Sequence, residues 1–74
     1  RRIPKDLWPA VRRKLDSVNA ASSAHALRVP PGNQLESLRG DRAGSFSIRV
    51  NDQYRVTFRF EGEHAHDVTC EDYH

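Results

Sequence analysis

The chain has 74 residues, of which 12 are Lys or Arg and 10 are Asp or Glu, so its formal net charge is only +2. This length makes one domain, residues 1–74, whose small core gives marginal stability without a partner. A lone cysteine, Cys70, excludes an internal disulfide and fits the reducing cytoplasm. Because no apolar run is long enough to span a membrane and no signal peptide is visible, we expect a cytoplasmic protein without a membrane partner.

The basic residues are almost all arginine, since Lys5 and Lys14 are the only lysines. The planar, forked guanidinium group suits phosphate better than an ammonium group does. The composition therefore hints weakly at recognition of an anion, although ordinary solvated charge explains scattered arginines equally well.

The first predicted element is a helix over roughly residues 4–21, because apolar residues recur there at helical spacing and form one stripe. Trp8 in this stripe is most simply a core anchor. Ser22 and Ser23 are expected to end the helix and to cap a short second one through Leu27 or Arg28. The stripe consists of Trp8, Val11, Leu15 and Val18.

Strict alternation of apolar and polar residues predicts two strands, at 45–50 and 54–60, joined by a turn at 51–53. A short strand at 34–38 is expected before them, and a weaker one at 64–70 after them. Each apolar set must share one face of the sheet, and a three-residue turn satisfies this condition. The resulting register places the apolar pair Ile48 and Val56 on one face.

The same register places Arg49 directly across from Arg55 on the other face. Like charges in this position destabilise a sheet. Either an anion or acidic partner lies between the two side chains, or both splay into water. Both interpretations stay open at this point.

Helices on one side of a mainly antiparallel sheet make an α+β domain, and the amphipathic helix is the expected cover for the apolar sheet face. The opposite face is predicted to stay open. It would carry Arg49, Arg55 and Arg59, with the loop at 39–44 at one end.

RNA can be cut without a metal because its 2′-hydroxyl can attack the adjacent phosphate. Such a site needs a base, an acid and cations that stabilise the charged phosphorane, and an aromatic ring helps to hold an unpaired base. Arginines are available for the phosphate, namely Arg39 and Arg55 with Arg42 or Arg49. The chain ends on Asp72, Tyr73 and His74, which supply a carboxylate, a phenol and an imidazole.

Two other kinds of chemistry compete with metal-free RNA cleavage, namely metal binding and nucleophilic catalysis by a thiol. His64, His66 and Cys70 share strand parity and would face one way, but their spacing matches no zinc pattern. Alternation with Val68 places Cys70 toward the core, where a thiol acts as a small hydrophobe. We therefore expect neither a metal nor another cofactor.

Three motifs together resemble the HigB toxins of the RelE/ParE superfamily. They are the Gly-Asp-Arg loop at 40–42, the Asn-Asp-Gln-Tyr-Arg turn at 51–55 and the Asp-Tyr-His ending at 72–74. The resemblance implies helices packed on a curved antiparallel sheet and a type II toxin that cuts mRNA in the ribosomal A site. It also implies a HigA antitoxin with a helix-turn-helix domain. Members usually carry a first strand before the point where this chain begins, so we expect a leading segment to be missing.

The resemblance also implies residue roles. Arg39 and Arg55 match family positions that bind the scissile phosphate, and Asp72, Tyr73 and His74 match the catalytic C-terminal trio. Some members have a histidine where this chain has Glu36, so either Glu36 acts as the base or proton transfer rests on Asp72 and His74. The arginines expected to contact RNA without a catalytic role are Arg42, Arg49 and Arg59.

Two other functions remain open from the sequence. A ParE-type toxin has the same scaffold and blocks DNA gyrase without acid–base groups. A plain interaction module would dock an acidic partner on the arginine face and cleave nothing.

Overall fold

The computed structural model describes residues 3–73. Helix α1 (Trp8–Ala20) precedes four strands in one antiparallel sheet of order β1-β2-β3-β4, which confirms the predicted α+β class. Within the described residues, no helix has the length and apolar character needed to cross a bilayer. The strands are β1 (Glu36–Ser37), β2 (Ser45–Arg49), β3 (Tyr54–Glu61) and β4 (His64–Asp72). Short 3₁₀ turns occur at Lys5–Leu7, His25–Arg28, Pro31–Asn33 and Gly40–Arg42.

The first half of α1 departs from the predicted packing. Val11 and Val18 are buried, but Trp8 is 54% exposed, so its assignment as a core anchor is wrong. The Trp8 indole Nε1 instead donates a hydrogen bond of 3.1 Å to the carbonyl of Ile3, and Lys5 lies over the ring. The sheet therefore covers only part of the apolar stripe, and the Trp8 side of it lines an open groove.

The core lies between the C-terminal half of α1 and the apolar face of the sheet. Val18 packs there with Leu27 from the second 3₁₀ turn and with residues from β2 and β3. Phe58 is 1% exposed, and its ring lies 6.1 Å from that of Phe46 and 5.8 Å from that of Phe60, centroid to centroid. This burial fixes which face of the β2–β3 hairpin points toward the helix.

The predicted register of that hairpin is confirmed. Ile48 pairs with Val56, and Arg49 pairs with Arg55. The Asn51 side-chain oxygen accepts hydrogen bonds from two backbone amides of the turn, those of Gln53 at 2.9 Å and Tyr54 at 2.8 Å. An asparagine side chain that bonds the following backbone in this way stabilises a tight turn.

Strand β4 contains a β-bulge that the sequence pattern did not predict. Thr57 pairs with Thr69, whereas Arg59 pairs with His66, so two residues of β4, Asp67 and Val68, oppose one residue of β3. Asp67 has a φ of +52°, a left-handed conformation that aspartate tolerates better than most residues.

The bulge reverses the alternation of β4. His66 lies on the polar face opposite Arg59, while Cys70 pairs with Val56 on the apolar face and packs against the core. The prediction that His64, His66 and Cys70 face one way is therefore wrong, although the core position of Cys70 is confirmed. Burial raises the pKa of the Cys70 thiol, which favours its neutral form.

The face opposite the helix is also less open than predicted. Ser47 and Thr57 are 0% and 2% exposed, and Arg55 is 9% exposed. The guanidinium group of Arg55 lies against Ser47, and the Thr69 and Glu71 side chains of β4 contact Thr57. The centre of the face opposite the helix is therefore buried, and only its edges are exposed to solvent.

We expect Asp67→Val to lower the free energy of unfolding by about 1–2 kcal/mol, because a β-branched residue resists a positive φ. Asp67→Gly should change it by less than about 1 kcal/mol. Urea denaturation measures both, with His64→Val as the matched change elsewhere in β4. Equal stability of Asp67→Val and wild type would show that the left-handed conformation is not required.

Candidate active site

The central group of the candidate site is the guanidinium of Arg55, which β3 carries on the polar face. Its Nε donates a 2.8 Å hydrogen bond to the Ser47 hydroxyl, and its Nη2 donates to the carbonyls of Ser47 and Gln34. These partners, drawn from residues 3–73, are all uncharged. A buried cation normally has an anionic partner, so this one is prepared to bind an anion.

Arg49 and Arg55 both line one open cavity of about 310 Å³. Arg49 forms an ion pair of 2.5 Å with Asp52, whose side chain is 95% exposed. The two arginines thus tolerate their direct opposition because one is fixed to the sheet and the other turns toward the 51–53 loop. An exposed ion pair contributes only about 0.2–1 kcal/mol, so a phosphate can displace Asp52 at low cost.

The remaining wall of this cavity comes from both edges of the sheet. Glu36 and Gln34 lie on the β1 side, and Tyr73 lies beyond the end of β4 with an exposed ring. The amide of Tyr73 donates a 2.7 Å hydrogen bond to the Gln53 carbonyl, which ties the tail to the hairpin turn. The cavity therefore combines two arginines, the carboxylates of Glu36 and Asp52, and an aromatic ring.

Arg42, predicted to bind RNA, is engaged within the protein. Its two terminal nitrogens donate to both carboxylate oxygens of Glu71, at 2.8 and 2.5 Å. Glu71 also accepts a hydrogen bond from Thr57 at 2.7 Å. This Arg42–Glu71 bridge joins the loop before β2 to β4 across the polar face.

The bridge shifts the ionisation of Glu71. The hydrogen bond from Arg42, with a smaller contribution from Thr57, lowers the pKa of Glu71 to about 2 despite its partial burial. Glu71 is therefore ionised near neutral pH and has a low proton affinity. It stabilises the fold through its bonds to Arg42 and Thr57 and is a poor proton acceptor.

The other two predicted arginines lie outside the Arg55 cavity. Arg39 is exposed and lines a neighbouring cavity of about 670 Å³, which shares Glu36 with the first. Arg59 lies farther along β3, where its guanidinium Nη2 packs over Gly44, 3.3 Å from the position of an added Cβ. The roles of Arg39 and Arg59 stay predictions.

The two described members of the predicted C-terminal trio, Asp72 and Tyr73, lie in different places. Asp72 pairs with Tyr54 and so lies on the apolar face, where its carboxylate accepts a 3.1 Å hydrogen bond from Gln53 Nε2. Tyr73 lies at the Arg55 cavity, and His74 falls outside the described residues. The catalytic roles of all three stay predictions.

Three contributors to the site were missed by sequence reasoning. Glu71 was missed because the bulge that turns it toward Arg42 carries no clear sequence signal beyond Asp67. Ser47 is one of the polar residues in the 45–50 alternation, which gives no sign that it holds Arg55, and the backbone carbonyl of Gln34 has no sequence signal at all.

Within residues 3–73, no three His, Cys, Asp or Glu side chains are grouped to hold a metal ion. The bulge separates His66 from Cys70, as described above. The residues that line the Arg55 cavity supply guanidinium groups, carboxylates, amides and a phenol.

One helix packed on a four-stranded antiparallel sheet is an α+β fold consistent with RelE-like toxins. The sequence matches the HigB-like toxin model, described as RelE-like toxin of type II toxin-antitoxin system HigB, over residues 1–74. The chain belongs to the HigB-like toxin family.

Three curated relatives match the chain, and two of them carry HigB names. Toxin HigB-1 of Vibrio cholerae is 47% identical over 60 residues, which are 81% of this chain and 63% of that protein. A protein of Haemophilus influenzae is 37% identical over 90% of this chain and 66% of its own length. Endoribonuclease HigB of Proteus vulgaris is 44% identical over 55% of this chain and 45% of its own length. The chain thus spans less than two thirds of each relative.

The Arg42–Glu71 bridge predicts a pH-dependent stability. Because the folded pKa of Glu71, about 2, lies below the ordinary 4.5, its stabilisation is complete above pH 4.5 and is lost as the pH falls toward 2. We expect Glu71→Gln to be less stable than wild type by about 1 kcal/mol at pH 7, a value discounted for partial exposure. The difference should shrink between pH 4.5 and 2 in urea titrations.

Glu63→Gln is the matched control, since it makes the same substitution in the exposed turn between β3 and β4. Its free energy of unfolding should equal that of wild type at every pH. A difference in unfolding free energy between Glu71→Gln and wild type that stays constant down to pH 2 would contradict a role for the ionised bridge.

Proposed function

We propose that this protein is the toxin of a type II toxin–antitoxin system and a ribosome-dependent mRNA endonuclease. The observation that carries the proposal is the buried guanidinium of Arg55, whose partners among the described residues are uncharged. The name of the Proteus vulgaris relative, an endoribonuclease, supports the same activity. Family membership supports the toxin role.

The reaction needs no group beyond those of RNA and protein. The 2′-oxygen attacks the adjacent phosphorus and loses its proton to a base, and the bond from phosphorus to the 5′-oxygen breaks as an acid protonates that oxygen. The products carry a 2′,3′-cyclic phosphate and a 5′-hydroxyl. The proposed proton-transfer group is His74, which Asp72 would orient.

Arg55, fixed by Ser47, stabilises the extra negative charge of the phosphorane, and Arg49 adds a second cation once it leaves Asp52. Tyr73 lines the same cavity, and its exposed ring would stack on an unpaired base.

The other predicted residues take supporting roles in this proposal. Asp72 lies on the far face and holds Gln53, which favours an orienting function for the tail that ends in His74. Arg39 and Arg59 would contact the RNA backbone beside the cavity. Arg42 would do so only after it leaves Glu71.

We propose that the ribosome orients the message for in-line attack. The side chains of the cavity are weak acid–base catalysts by themselves, so alignment of the 2′-oxygen with the leaving oxygen must contribute much of the rate. The A site of a translating ribosome presents mRNA as an unpaired strand in a defined conformation. The proposed partners are therefore the ribosome, its mRNA and a HigA-like helix-turn-helix antitoxin, and the place of action is the cytoplasm.

Arg55→Ala should lower cleavage of a translated message by about 10²–10³-fold, because it removes a preorganised donor to the phosphorane. Arg55→Lys should also be impaired, since an ammonium group cannot reach Ser47, Gln34 and a phosphate at once. Primer extension on messages in a purified translation system measures both. Arg13→Ala, an exposed change on α1, is the control and should cleave normally.

Thermal melting of each variant separates lost chemistry from lost folding. If a folded Arg55→Ala variant cleaves the message at the wild-type rate, Arg55 is not part of the active site.

A single 2′-deoxy substitution 5′ to the scissile phosphate should abolish cleavage there, because the attacking hydroxyl is gone. Mass spectrometry of the normal products should find a cyclic phosphate and a 5′-hydroxyl. Cleavage of the deoxy substrate would contradict the mechanism. Intact messages together with loss of DNA supercoiling in a gyrase assay would favour a ParE-type toxin instead.

A further inference from the structure

The first residue of the hairpin turn, Asn51, lines the Arg55 cavity beside the two arginines. Its side-chain oxygen is occupied, because it accepts hydrogen bonds from the backbone amides of Gln53 at 2.9 Å and Tyr54 at 2.8 Å. These two bonds fix the plane of the side-chain amide and decide which of its ends faces the turn. The Nδ2 group of Asn51 therefore points away from those backbone amides.

That Nδ2 group carries two N–H donors, and neither has a hydrogen-bond partner among residues 3–73. Asn51 is half-buried, and no buried side-chain nitrogen or oxygen of the described residues lacks a partner, so Nδ2 is open to solvent. A donor that the turn holds in place at the wall of a cavity is suited to bind an acceptor atom of a ligand.

The charges around the cavity favour an anion as that ligand. Arg49 and Arg55 supply the positive charge, while the carboxylates of Glu36 and Asp52 leave the arginine side as the place where an anion can bind. Asp52 is already paired with Arg49 at 2.5 Å. A phosphate on the arginine side would present several oxygens at once, and one of them can accept from Asn51.

We propose that Asn51 is a third hydrogen-bond donor to the phosphate bound at Arg55, an inference that rests on the proposed nuclease function. Arg55 is fixed by Ser47, and Asn51 is fixed by its own turn, so both donors are in place before the phosphate binds. Donors arranged in advance stabilise the charge that grows on the oxygens of the phosphorane. The motif at 51–55 thus contributes a phosphate ligand from each of its ends.

Two substitutions separate a phosphate donor from a residue that only forms the turn. Asn51→Asp keeps an oxygen that accepts the two turn hydrogen bonds but removes the N–H donors. Asn51→Ser also removes these donors and adds no charge, while its hydroxyl can still accept from the turn. Both should lower the single-turnover cleavage rate of a ribosome-bound message by at least about 10-fold, the effect of one hydrogen bond to a charged group.

Asn19→Asp is the matched control, since it adds the same charge at an exposed position of α1 and should cleave at the wild-type rate. Thermal melting of each variant should show that it is folded. A wild-type rate in folded Asn51→Asp would limit the residue to the turn. A wild-type rate in folded Asn51→Ser would leave the added charge as the sole cause of any defect in Asn51→Asp. Either result overturns the proposal.

A measurement on the wild-type protein does not depend on cleavage or on the folding of a variant. Inorganic phosphate titrated into nitrogen-15-labelled protein should shift the side-chain amide signal of Asn51 and the Nε–H signal of Arg55 with one common dissociation constant. A shift at Arg55 without one at Asn51 overturns the proposed contact. If both signals shift together but wild type cleaves no ribosome-bound message, the nuclease function fails and the phosphate contact stands.

Discussion

The contact of Arg55 with Ser47 and with the carbonyl of Gln34 is the constraint on which the polar face depends. It brings a cation into a nearly dry position on β3 and ties three chain segments to it, namely β2, β3 and the segment before β1. Leaving such a charge without a described anion costs folding free energy. A small domain with a modest core can tolerate that cost only where the charge has a use, and the proposed recognition of phosphate would give it one.

Around this fixed arginine, the other charges of the face differ in how strongly they are held. Arg49 forms an exposed pair with Asp52, whereas Arg42 makes two bonds to Glu71 within a network that includes Thr57. The first pair can open for a ligand, and the second fixes the loop beside the cavity. Counting arginines in the sequence does not reveal this division, because it depends on which carboxylate each arginine reaches.

Much of the fold followed from the sequence because two periodicities are strong in it. Period two in β2 and β3, with a three-residue turn, fixed the faces and the pairing of Arg49 with Arg55. The helical stripe located α1 but not the extent of its burial, since the sheet reaches Val18 and leaves Trp8 exposed. Hydrophobic spacing states which residues share a face and not how much of that face is covered.

The candidate site was predictable in part. The motif resemblance and the strand pattern both indicated Arg55, and the terminal motif indicated Tyr73, which the structure places at the same cavity. Glu71 and the far-face position of Asp72 were not predictable by alternation, since one unpaired position in β4 inverts every assignment after it. Counting along a strand fails wherever a bulge intervenes.

The bulge at Asp67 and Val68 decides which side chains of the tail reach the cavity. Pairing the same β4 residues without a bulge would slip every residue after His66 by one position along β3, so Asp72 would turn toward the guanidinium groups and Glu71 away from them. Removal of one bulge residue would instead leave the later pairs unchanged, including that of Asp72 with Tyr54. The cavity therefore tolerates a shorter β4 better than a straightened one.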